Sequence, residues 1–76
     1  MEELLAWIAR GLVDEPDAVR VERVEEVDAV ILRLSVAPDD VGKVIGRQGR
    51  IARALRTVVR ASAARDERRL MLEIME

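Results

Sequence analysis

The sequence predicts a two-layer α+β fold, in which helices cover one face of a three-stranded sheet. Three observations predict it. Apolar residues recur at helical spacing near the start and through the second half, three short stretches alternate apolar with polar residues, and clusters of proline, glycine and acid separate them. The resulting order is α–β–β–α–α–β, and helices segregated on one side of the sheet give every amphipathic face a partner.

The first element is "EELLAWIARGLV", where Leu4, Leu5, Ile8 and Leu12 form one seam and glutamates occupy the positive N-terminal end. "DEPDA" ends it, because proline disfavours helix at the residue before it and removes a donor. Trp7, the sole aromatic, sits one step off the seam and is expected to plug the core or an interface. "AVRVERV" alternates Val19 and Val21 with Arg20 and Glu22, a strand pattern. "VILRLSV" sets Val30, Leu32, Leu34 and Val36 against Ile31, Arg33 and Ser35, and the polar "EEVD" between the two strands is the expected hairpin turn.

"APDDVGKVIG" opens a short helix. Pro38 suits its first turn, Asp39 and Asp40 suit its positive end, and Val41, Val44 and Ile45 make its buried stripe. A longer helix runs from Gly49 or Arg50 to about Ala64. Ile51, Leu55, Val58, Val59 and Ser62 share one side, with Arg50, Arg53, Arg56 and Arg60 almost opposite. "RRLMLEIME" is the last strand, with Leu70, Leu72 and Ile74 alternating against Met71, Glu73 and Met75.

Composition narrows the functions. The 76 residues are expected to form one domain, 1–76, of a size that buries only about 60% of its unfolded surface. There is no cysteine and no histidine, which removes disulfides, the usual zinc ligands and the commonest general base. Ser35, Ser62 and Thr57 are the only hydroxyl side chains, and no histidine is there to activate them. Neither an enzyme, a metal, a cofactor nor a small-molecule substrate is expected. Met1-Glu2-Glu3 does not open like a signal peptide, and no run approaches the ~20 apolar residues of a membrane span. The expected location is cytoplasmic.

Charge is unevenly spread. The net charge is −2, yet residues 41–65 hold seven basic side chains and no acid, so the rest of the chain carries −9. An acidic body with one basic face is the electrostatic footprint of a polyanion reader. At the centre of that segment, two helices are joined only by Gly46-Arg47-Gln48-Gly49. As a plain helix hairpin, Gly46 caps one helix in the left-handed region and Gly49 admits the next. As an anion site, the following helix presents free amides and its dipole, and the missing β-carbons let a phosphodiester chain approach. Gly42 fits either close packing or room for a ligand.

"VIGRQGRI" resembles the Val-Ile-Gly-x-x-Gly-x-Ile signature of KH domains. Two strands before the glycine pair and one after it resemble the type II arrangement. "GLVDEPDAV" and "SVAPDDVGKVIGRQGRIARALRTVV" are similar to the small stand-alone bacterial KH proteins of the KhpA kind, with Gly11 the one position where a bulkier residue is usual. The resemblance implies a type II KH fold, with a three-stranded mixed sheet and helices packed on one face, and a site for single-stranded RNA. In it, Gly46 and Gly49 let the backbone pass, and Arg47 and Gln48 contact phosphate and sugar. Lys43, Arg50 and Arg53 line the rim, and Val44, Ile45 and Ile51 give an apolar floor for bases. KH domains hold about four nucleotides in this way.

Two functions of different class compete. One is sequence-tolerant RNA binding, as an RNA chaperone or regulatory adaptor. The other is a protein-interaction or dimerisation scaffold that uses the same surface, and the intact, acid-free Gly-Arg-Gln-Gly argues against it. The resemblance also implies a homodimer, or a heterodimer with a larger KH protein of the Jag type.

Overall fold

The computed structural model describes residues 1–62 and 68–75. Helix α1 spans Glu2–Leu12, strands β1 and β2 span Arg20–Glu25 and Ala29–Ser35, helices α2 and α3 span Val41–Ile45 and Arg50–Ser62, and strand β3 spans Arg69–Ile74. Single 3₁₀ turns at Pro16–Ala18, Pro38–Asp40 and Arg47–Gly49 supply the corners. The order matches the α–β–β–α–α–β expectation. The expected end of the last helix, at Ala64, lies outside the described residues.

The sheet order is β1-β2-β3, with β2 antiparallel to β1 and parallel to β3. The hairpin turns where "EEVD" places it, and the Glu26 N–H donates to the Ala29 carbonyl at 2.8 Å. Alternation along β2 is complete: Val30, Leu32 and Leu34 are buried, while Ile31, Arg33 and Ser35 are half-buried on the other face. Leu72 of β3 extends the buried row. Ala29 of β2 pairs with Arg69 and Leu34 pairs with Ile74, so the central strand joins segments far apart in sequence.

The helices close over this face through Leu5, Ala6 and Ala9 of α1, Val44 of α2, and Ala52, Leu55 and Val59 of α3. Both amphipathic helices sit rotated from their expected seams. In α1, Leu5 and Ala9 are the centre, while Leu4 lies at the margin and is 42% exposed. In α3, Ala52 joins Leu55 and Val59, while Val58 and Ser62 are exposed. The reason is the same in each: small alanines let the helix axis approach the sheet, and spacing that favours large apolar residues underweights them. Trp7 is 70% exposed and no part of the core.

The loop between α1 and β1 is tied to α2 by a buried carboxylate. Asp40 accepts the Glu15 N–H at 3.0 Å on Oδ2 and Lys43 Nζ at 3.1 Å on Oδ1. Burial by itself pushes the Asp40 carboxyl up. Hydrogen bonds from Lys43 and from the Glu15 and Asp14 amides outweigh it and hold the group below the usual aspartate range. Asp40 was expected only to complement a helix end; instead it joins two parts of the chain. Among the described residues, no helix is long and apolar enough to cross a membrane.

Candidate functional site

The α2–α3 junction is a sharp, strained corner. Helix α2 ends at Gly46, whose N–H donates to the Gly42 carbonyl at 2.9 Å. Gly46 takes φ 76°, ψ 172°, which is not the left-handed helical cap expected but a region essentially confined to glycine. A β-carbon there would meet Ile51 Cγ1 at 2.7 Å and the Ile51 backbone nitrogen at 3.0 Å. Gly49 has φ 73° with open space around its α-carbon. Gln48 is left-handed too, with φ 58° and ψ 24°. Three positive φ values within four residues turn the chain from α2 directly into α3.

The Gly49 N–H donates to the Gly46 carbonyl at 3.1 Å and the Arg50 N–H to the Arg47 carbonyl, so the amides expected to stay free at the start of α3 are satisfied within the turn. Arg47 and Gln48 stand exposed at its tip. Arg53 Nη2 donates to the Gln48 carbonyl at 3.0 Å, and Arg50 Nη2 lies 3.4 Å from Gln48 Oε1. These bonds hold two guanidinium groups beside the loop. Among the described residues Arg47, Arg50 and Arg53 make no ion pair, so their charge is uncompensated.

The structure thus brings Ile45, Gly46, Arg47, Gln48, Gly49, Arg50, Ile51 and Arg53 to one corner, with Ile45 and Ile51 half-exposed. Two of the expected residues stand differently. Val44 has no exposed surface and belongs to the core, because a five-residue helix buries only the centre of its stripe. It offers no floor to a ligand. Lys43 is exposed but bonded to both Asp14 and Asp40, which raise its pKa and answer its charge. The Asp40-x-x-Lys43 spacing was a visible signal for half of that arrangement. A β-carbon on Gly42 would meet nothing within 4 Å, so close packing does not account for it.

A mixed three-stranded sheet, two helices hinged on Gly-x-x-Gly, and a final strand parallel to the central one define a type II KH fold. The chain belongs to the KhpA/KhpB KH domain family, whose model it matches over residues 2–74. It is 52% identical over 75 residues to the RNA-binding protein KhpA of Clostridium acetobutylicum, covering 99% of this chain and all of that one. It is 55% identical to the RNA-binding protein KhpA of Treponema pallidum, covering 99% and 94%. Among solved structures it is similar to part of Era in a complex with MgGDPNP and a segment of 16S ribosomal RNA. The TM-score is 0.54 at 17% identity, over 97% of this chain and 30% of Era. That likeness concerns the fold.

Proposed function

We propose that this protein binds single-stranded RNA at the Gly46–Gly49 corner, tolerantly of sequence, and serves as an RNA chaperone or regulatory adaptor in the cytoplasm. The observation that carries the reading is the corner itself. Three positive φ values turn the chain sharply and leave Arg47 and Gln48 exposed at its tip, beside two uncompensated arginines. Strain of this kind persists where the surroundings enforce it, and it clusters at ligand sites. Relatives half identical in sequence carry the name RNA-binding protein, which supports the same reading.

Arg47 and Gln48 would meet phosphate and sugar, with Arg50 and Arg53 on the rim and Ile45 and Ile51 beneath the bases. Splayed bases suit such a floor, whereas a duplex would need an element shaped for its groove. The test is the double variant Arg47→Asp, Gln48→Asp. Aspartate tolerates the left-handed geometry at position 48, so both glycines and the corner remain. RNA affinity falls at least tenfold, about 1.4 kcal/mol, while the melting temperature moves by only a few degrees. Undiminished binding by this variant defeats the assignment.

A role in protein contacts runs beside the first reading, because Trp7 presents a large apolar surface to solvent. A homodimer, or a complex with a larger Jag-type KH protein, would bring two RNA sites together.

A further inference from the structure

Helix α1 meets the sheet through Leu5, Ala6 and Ala9, and its outer stripe stays open. Glu3, Leu4, Trp7, Arg10 and Gly11 recur along that stripe at three- and four-residue spacing. Trp7 and Leu4 expose large apolar side chains there, side by side on one helix face. Next to the indole lies an open hollow of about 460 Å³, bordered by Trp7, Ile8, Arg10, Gly11 and Leu12. A β-carbon on Gly11 would meet nothing within 4 Å. No packing inside the chain calls for glycine at that position, although alanine is the better helix former.

Charge gives the stripe a direction. Glu3 precedes Trp7 by four residues and Arg10 follows it by three, about 6 Å and about 4.5 Å along the axis. Among the described residues neither makes an ion pair, whereas the neighbouring Glu2 is bonded to Arg23. An acid before an apolar centre and a base at similar distance after it are self-complementary. A two-fold axis at the centre carries each charge onto the other. Arg10 is the one cation of α1 and Glu3 offsets it, so the stripe has no call for a polyanion.

We propose that the outer stripe of α1 docks the same stripe of a second copy of this chain, antiparallel, with the two-fold axis beside Trp7. Glu3 of each copy meets the partner's Arg10, and Leu4 lies under the stem of that arginine. The Trp7 indole enters the hollow over the partner's Gly11, where a side chain would block it. Helical side chains lean toward their own N-terminus, so the two indoles of an antiparallel pair pass one another. The proposal rests on the reading of Trp7 as a protein contact and is independent of the RNA site, since no residue of the glycine corner takes part. Two helices of eleven residues bury less than about 1,200 Å², so the pair is weak and exchanges freely.

The experiment is sedimentation velocity of the full chain from micromolar to millimolar concentration, read beside the emission of Trp7, the sole tryptophan. The wild type dimerises over this range, and its emission shifts to the blue as it does. Trp7→Ala and Gly11→Leu each weaken the dimer at least about tenfold without lowering the melting temperature, because neither site packs in the core. Glu3→Arg and Arg10→Glu each weaken it comparably, by setting like charges opposite one another. The double variant Glu3→Arg with Arg10→Glu associates like wild type, and so does an equimolar mixture of the two single variants. A monomer at every concentration, with unshifted emission, overturns the proposal and the protein-contact reading together. A dimer indifferent to Trp7→Ala leaves copies in contact through another face and overturns the α1 pairing alone. Failure of both the double variant and the mixture overturns the register. Oligouridylate that shifts Trp7 emission in competition with the dimer makes RNA the occupant and overturns it as well.

Discussion

Gly46 and Ile51 leave no room for a side chain between them: a β-carbon on Gly46 would fall 2.7 Å from Ile51 Cγ1 and 3.0 Å from the Ile51 nitrogen. The nitrogen is backbone and cannot turn aside. Gly46→Ala therefore combines a clash with a backbone region costing about 1–3 kcal/mol for other residues. Gly49→Ala meets open space and bears only its positive φ, about 1–2 kcal/mol. Urea unfolding should place the midpoint of Gly46→Ala clearly below that of Gly49→Ala, and the reverse order would contradict this geometry.

Asp40 should make the protein sensitive to acid. Its carboxyl is held below the usual range, so it contributes stability above the unfolded value of about 3.9, and that contribution is lost as pH falls through the lower folded value. Asp40→Asn lacks the titration and keeps only one carbonyl oxygen for the Lys43 and Glu15 donors. The wild type is more stable than this variant above about pH 5, and the gap narrows below about pH 4. Urea midpoints over a pH series measure it; a constant gap would mean that Asp40 acts by shape alone.

Salt should weaken RNA binding in proportion to the phosphates met. If roughly two to four are neutralised, the log–log slope lies near −1.5 to −3, at ~0.7 per contact on single strands. Unstructured RNA should be preferred to blunt duplex. A slope near zero would remove the arginines from the contact surface.

One copy alone should bind a short RNA weakly. The loop has no aromatic platform, and Trp7 lines a separate surface with Ile8, Arg10, Gly11 and Leu12. Stacking adds about 1–3 kcal/mol per base in single-strand binders, and without it a Kd in the micromolar range or weaker is expected, at most about −8 kcal/mol. Joining two such sites raises avidity by about 10²–10⁴. Titration with a four-nucleotide RNA, with mass measured at the same protein concentration, tests this; nanomolar binding by a monomer would refute it.

What the sequence made legible follows physical period. Val30, Leu32 and Leu34, then Leu70, Leu72 and Ile74, alternate because one face of each strand meets helices, and a period of two survives any detail of packing. The glycine corner was legible because two glycines three apart between helical stretches mark a turn that needs positive φ, although the conformation of Gly46 was not, since spacing carries no ψ. Val44 and Ile45 are adjacent in one stripe, and only the placement of a very short helix decides that the first is core and the second half-exposed. Lys43 was read by the charge of its neighbourhood, but its partner Asp14 arrives from another part of the chain. Tertiary pairing of that kind leaves no local trace.

The parallel pairing of β3 with β2 also orders events on the ribosome. Helix α1 and the β1–β2 hairpin emerge first and meet through local contacts, but β2 keeps one open edge until β3 has been made. Helix α3 packs on that last strand, so the glycine corner reaches its final arrangement only when synthesis has passed Ile74. Domains fold as units during translation. A half-made chain therefore carries the glycine corner without the strand on which α3 comes to rest.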